Sequence, residues 1–300
     1  MYDTVILEYA GAFGQGWKLE DIVSWVESLP PMPDVACRAM RLVDDPDASA
    51  PELAAVLQDD PVLASSILRS ANSAALGRGS AVSSLDEAIV VVGMGSLRTL
   101  LMAVTLREWN KNFGPVERLV WEKSIGAAVG AELIATHLRK GYRDEIRLVG
   151  LLHNLGQIVL LSHDEIGPRY PDVLEYIHLN GADYATAERE IIGFSHTLVG
   201  ALVARKWGFS DAACMVILRY ADPFDGVGNL LDEHIAVVKL ASELSLCAGV
   251  GHTPGHPLNC GRLSPIAAGI GFETDNLVNE LDALATQVRE RFTAETSAYG

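Results

Sequence analysis

The run LLHNLGQIVLL, residues 151–161, places His153 and Asn154 side by side inside a mostly apolar stretch. Apolar residues at helical spacing on all sides are the mark of a helix buried in a protein interior. The polar pair therefore belongs to the inside of a helical globule, where it needs hydrogen-bond partners. The chemistry of the pair carries further weight. A histidine followed by aspartate offers a divalent cation a neutral nitrogen and an anionic oxygen. A histidine followed by asparagine withholds the anion, which separates an enzyme from a binding module.

Outward from this run, nearly the whole chain repeats the same pattern: apolar residues at spacings of three and four, interrupted by turn signals every 10 to 25 residues. The run itself sits in a helix expected over about 144–162. Towards the N-terminus, helices are predicted over Leu19 to Leu29, from about Pro33 to Val43, from Ser96 to Trp109 and from Pro115 to about Lys140. Ser49 with Glu52 and Ser84 with Glu87 have capping-box spacing, and Asp60-Pro61 reads as a cap followed by proline at the first helical position. Towards the C-terminus, helices are expected near 168–180, 182–192, 195–207, 210–220, 229–249 and 274–293, with a Gly/Pro-rich loop from Gly249 to Pro265. Thr4-Val5-Ile6-Leu7 is the one β-branched run with strand character. The pattern implies an all-α, multi-helical globule. It is divided into an extension (1–18), an N-terminal helical subdomain (19–113) and a second helical half (114–293).

Composition narrows the function. Of 300 residues, 49% are hydrophobic and 21% charged, and the net charge is −16. Such a chain repels phosphate backbones and anionic membrane surfaces unless a basic patch intervenes, and there is no cluster of five Lys/Arg. Neither a nucleic-acid nor a membrane partner is expected. No run of 18 apolar residues is present. The acidic, unbasic N-terminus does not read as a secretory signal. Four scattered cysteines suit free thiols in a reducing cytoplasm.

Five strings occur in order: LPPMPDVACRAMRLVDDP (29–46), LAAVLQDDPVLASSILRSANSAALG (53–77), AIVVVGMGSLRTLL (88–101), VGLLHNLGQIVLL (149–161) and GFSHTLVGALVARKWGFSD (193–211). Together they resemble the HDOD family, the HD-related output domain, over roughly residues 19 to 290; DDPVLASSILRSANSA (59–74) is the most specific. The resemblance implies an HD-domain-like helical fold. It also implies a regulatory role in bacterial signalling through partner proteins, in the setting of cyclic-di-GMP or two-component pathways. Matched to the metal-binding pattern of HD phosphohydrolases, the first histidine position falls at Lys123 and the His-Asp pair on His153-Asn154. The distal aspartate falls at Ser242. The extra histidine of the HD-GYP branch matches His196, and its His-His pair falls on Tyr220-Ala221. On this matching two imidazoles survive and both carboxylates are lost. An ammonium about 4 Å from a dication costs on the order of 8 kcal/mol at an effective dielectric near 20. The expectation is a vestigial site without metal, cofactor or catalysis, in which His153 bonds His196 or Asn154. The alternatives are a metal-dependent HD-type phosphohydrolase and a small-molecule sensor that uses the degenerate cavity.

Two further clusters invite a reading. Cys247, His252, His256 and Cys260 are four possible zinc ligands within fourteen residues, but they lack a C-x2–4-C knuckle, so an ordinary surface loop is the better expectation. Asn72 and Ser73, polar residues within an apolar helix, read as a helix terminator or as a partner or ligand contact. His137, His163, His178 and His234 read as isolated, solvated side chains. No P-loop or nucleophile-elbow spacing occurs.

Overall fold

The structure is a computed structural model, and it describes residues 18–74, 82–109, 113–251 and 263–299. Among these residues it is all-α. The chain forms two compact units, one made of residues up to Pro31 with Trp109–Val288, the other of Met32–Glu108 with the residues from Arg289 onward. The strand expected at Thr4–Leu7 lies outside the described residues.

The second unit contains helices α2 (Asp34–Asp44), α3 (Ala50–Leu57), α4 (Pro61–Ala74), α5 (Leu85–Val92) and most of α6 (Met94–Trp109). Its helix starts are those the sequence signals. Ser49 accepts from Glu52 N while Glu52 returns a bond to Ser49 N, satisfying two orphan donors at once. Asp60 Oδ1 accepts from Val62 N and Leu63 N. Asn72 pairs with the backbone of Val82 in both directions, at 2.9 Å each, and also donates to Leu68 O. Ser73 donates to Ala294 O at 3.4 Å. In this unit the two residues are backbone fasteners.

The first unit holds α1 (Leu19–Ser28), α7 (Pro115–His137), α8 (Arg143–Leu152), α9 (Leu155–Leu161), α10 (Tyr170–Asn180), α11 (Tyr184–Ile191), α12 (His196–Lys206), α13 (Asp211–Arg219), α14 (Leu230–Cys247), α15 (Leu263–Ile270) and the first part of α16 (Leu277–Tyr299). Helix α7 is its central post, buried from Val120 to Ala135 apart from Glu122 and Glu132. Small residues let its neighbours come close: a Cβ on Gly130 would sit 3.2 Å from Ala241 Cβ of α14. Helix α1 is tied in by a cation. Lys206 Nζ donates to Val26 O, Glu27 O and Leu29 O at 3.0, 2.6 and 2.6 Å, occupying carbonyls that a helix C-terminus leaves open.

Several local expectations are corrected. The helix predicted over 144–162 is two helices, broken at His153-Asn154. Residues 263–270, partly assigned to a loop, form α15. Cys37 and Cys214 are free thiols, but Cys247 is disulfide-bonded, which departs from the expected free set. His234 is buried with its ring edge on Tyr142, His163 packs edge-on against Trp25, and His137 stacks on Phe272. His234 and His163 are packed, while His137, despite its stacking, and His178 are exposed. Among the described residues no single helix is long and apolar enough to cross a membrane.

Candidate functional site

The break between α8 and α9 makes the site. Gly156, in the first turn of α9, lies against the start of α12: a Cβ there would be 1.8 Å from His196 O and 2.6 Å from Gly200 N. Only glycine permits that approach, and it brings the His153-Asn154 corner beside His196. The seven residues singled out from the sequence converge here. Lys123, His196, Tyr220, Ala221 and Ser242 line one small pocket. Asn154 Oδ1 accepts from the Tyr220 hydroxyl at 3.2 Å, and the His153 ring stands edge-on to Tyr220 at 4.8 Å between centroids.

The expected bond from His153 to His196 or Asn154 does not form. His153 Nδ1 instead lies 2.6 Å from Gly150 O. A carbonyl can only accept, so Nδ1 carries the proton and Nε2 presents a lone pair; Nε2 has no partner. Burial pushes this imidazole well below its usual range, and the Lys123 charge pushes it the same way against the Gly150 bond. His153 is therefore neutral at pH 7.

His196 is gripped on both sides. Its Nδ1 meets Glu188 Oε2 at 2.5 Å, and its Nε2 meets the Tyr220 hydroxyl at 2.5 Å. Glu188 Oε2 also accepts from His196 N at 2.6 Å. That N–H is among the orphan donors at the start of α12, so the carboxylate closes a helix N-terminus from a neighbouring helix. Glu188 Oε1 accepts from the Tyr170 hydroxyl at 2.6 Å and from Gln157 Nε2 at 3.4 Å. Burial, reinforced by the Glu188 charge, holds the Tyr170 and Tyr220 hydroxyls well above the usual phenol range, so both remain proton donors.

Glu188 corrects the sequence reading, which left no carboxylate at the site. It is fully buried, and a signal for it exists: Ala185 and Glu188 of α11 and the capping Ile192 that follows it fall at helical spacing, and the two apolar residues are buried as well. Gln157 and Tyr170 were missed too.

Lys123 is 7% exposed, and its ammonium sits 5.0 Å from the centroid of the Tyr184 ring. Burial pushes its pKa down, opposed by the charges of Glu243, Glu188 and Asp183. The residues present do not suit a divalent ion. Among the described residues no three His, Cys, Asp or Glu side chains are placed to hold one. Both His196 nitrogens are engaged, Asn154 Oδ1 is taken by Tyr220, and a buried amine lines the pocket. Of the zinc candidates, Cys247 has its sulfur in a disulfide, and His252, His256 and Cys260 lie outside the described residues.

Comparison with known proteins fits this geometry. A family model described as the HDOD domain matches residues 29–223. The chain belongs to the HDOD family. Similar to it is the crystal structure of an HDOD domain protein of unknown function from Geobacter sulfurreducens, 25% identical with a TM-score of 0.70, over 93% of this chain and 99% of that one. A Shewanella amazonensis protein named as a phosphohydrolase is 22% identical (TM-score 0.68, covering 91% and 97%). A Marinobacter aquaeolei protein assigned to signal transduction is 20% identical (TM-score 0.69, covering 98% and 65%). At such identities these two establish the HD-like fold alone. A curated, uncharacterised protein of Treponema pallidum is 25% identical over 204 residues, 63% of this chain; the match spans 37% of that relative.

Proposed function

We propose that this HDOD chain is a non-catalytic regulatory domain of bacterial signal transduction that acts by binding a protein partner, in the setting of cyclic-di-GMP or two-component pathways. The observation that carries it is the ammonium of Lys123, buried in the pocket that His196 and Tyr220 also line. An amine there serves as a fixed internal cation in place of an exchangeable one. Glu188, His196 and Tyr220 are hydrogen-bonded in series, which engages both His196 nitrogens and supports a stiffened core, while His153 Nε2, Asn154 Nδ2 and Gln157 Oε1 stay without a partner. A net charge of −16 favours a protein partner over nucleic acid. The free thiols of Cys37 and Cys214 suit a cytoplasmic location, and the disulfide at Cys247 argues against it.

The competing reading is a metal-dependent phosphohydrolase. It draws on Glu188 as an anionic ligand, yet both of its oxygens already accept from donors. The test is metal analysis of protein purified with added iron and manganese, together with turnover of cyclic-di-GMP and of bis(p-nitrophenyl) phosphate. The expected result is no stoichiometric metal and no turnover that a chelator abolishes. One or two metal equivalents with chelator-sensitive hydrolysis overturn the proposal.

A further inference from the structure

The small pocket at Lys123 adjoins a larger cleft. The inner pocket has a volume of about 50 Å³ and shares Asp183, Ala221 and Lys239 with an outer cleft of about 430 Å³. The outer cleft has an apolar wall of Pro223, Phe224, Pro265 and Ile266 facing polar Thr186, Arg189 and Thr197. Its floor is firm: Phe224 lies where a Cβ on Gly269 would come within 2.5 Å of the ring. Lys239 is fastened to Tyr220 O and Asp222 O at 3.2 and 2.7 Å.

At the inner end, the Lys123 ammonium offers three donors; its side chain is almost wholly buried, and the Tyr184 ring centroid lies 5.0 Å from its nitrogen. Lys123 lines the cavity, where an anion can accept a charge-assisted bond from it. The charges of Glu243, Glu188 and Asp183 favour the ammonium form, and Asp183 accepts from Thr186 N at 2.8 Å in the first turn of α11. Lys123, Lys239 and Arg189 balance Asp183, Asp222 and Glu243 along the two compartments, in a chain whose net charge is −16. The cleft is thus less hostile to an anion than the rest of the molecule. At roughly 10–15 Å³ for each water-sized occupant, the inner pocket takes about three to five heavy atoms, the size of a carboxylate or a phosphoryl group.

We propose that this cleft is a receptor site for a small organic oxyanion. Its head group enters the inner pocket and accepts from Lys123 Nζ, while its apolar body lies on the Phe224 wall. Ligand binding beside Tyr220 then gives the domain an input separate from its protein partner. The inference goes beyond the proposed function and stands without it, since no metal takes part.

The experiment uses the full chain after chelator treatment, so that an oxyanion held by a metal is excluded. Thermal shift and calorimetry are run with sodium hexanoate, hexyl phosphate and 1-hexanol, which share a body and differ in head. Hexanoate, hexyl phosphate or both are expected to raise the melting temperature, and hexanol is not; which head binds more tightly tells carboxylate from phosphoryl ligands. Lys123→Met keeps the volume and removes the donors, and binding is expected to fall roughly tenfold or more, the weight of a charge-assisted hydrogen bond. Should that variant fail to fold, Phe224→Ala is expected to weaken hexanoate while leaving inorganic phosphate unaffected. No response to either oxyanion at millimolar concentration, an equal response to hexanol, or equal hexanoate affinity in Lys123→Met overturns the inference.

Discussion

Replacement of Glu188 tests the central network of the first unit. The carboxylate is fully buried and accepts from the Tyr170 hydroxyl, from His196 N and Nδ1 at 2.5–2.6 Å, and from Gln157 at 3.4 Å. Glu188→Ala strands three close donors and one distant one in a dry interior. Each stranded donor costs about 1–3 kcal/mol when taken alone. Donors in one network relax together, so the sum is smaller than the parts. We therefore expect Glu188→Ala to destabilise the unit by about 4 kcal/mol. Glu188→Gln keeps one acceptor oxygen and should cost about half as much. The assay is urea unfolding followed by tryptophan fluorescence, because Trp25, Trp109, Trp121 and Trp207 all belong to this unit and the other unit need not unfold with it. With a slope of about 2 kcal/mol per molar urea, the midpoint should fall by about 2 M. A loss below about 1 kcal/mol at unchanged slope would refute the view that Glu188 holds the site together.

Two further tests probe geometry and protonation. Gly156→Ala should cost more than about 4 kcal/mol or prevent folding, because its Cβ would meet His196 O at 1.8 Å, whereas Gly141→Ala, with nothing within 4 Å, should be tolerated; equal melting temperatures for the pair would contradict the close crossing. His153 has its folded pKa pushed well below 6.5, so below that pH the unfolded chain binds a proton that the folded one refuses. Stability should then fall as pH drops from about 6.5, by up to about 1.4 kcal/mol per pH unit. His153→Gln should flatten that slope, and parallel pH curves for the two proteins would count against a neutral His153.

How much was legible in the sequence can be judged element by element. Ser49, Asp60 and Ser84 announced their helices because capping is local chemistry, complete within four residues. The HDOD resemblance and the convergence of Lys123, His153, Asn154, His196, Tyr220, Ala221 and Ser242 also came from the string itself. The break at His153-Asn154 did not, since an apolar run reads as one helix; the cause is the crossing of Gly156 over α12, some forty residues on in the chain. Glu188 escaped for a similar reason. One of the two acids in ATAEREI resembles a solvated residue until Tyr170, Gln157 and the start of α12 close around it. The matching of the site to a metal-binding pattern also directed attention to lost ligands and away from new ones.

The three carbonyl bonds of Lys206 have a bearing on how the molecule is made. Helix α1 and its anchor are separated by 177 to 180 residues, and the stretch 32–108 of the other unit is threaded between them. At about 5–20 residues per second, a ribosome needs roughly 9–35 s to deliver Lys206 after α1 has left it. During that interval the apolar side of α1, with Ile22 and Val26 buried in the finished protein, has no lasting berth. That face of α1 is then open to chaperones and proteases, and this unit is completed only after Lys206 has been made.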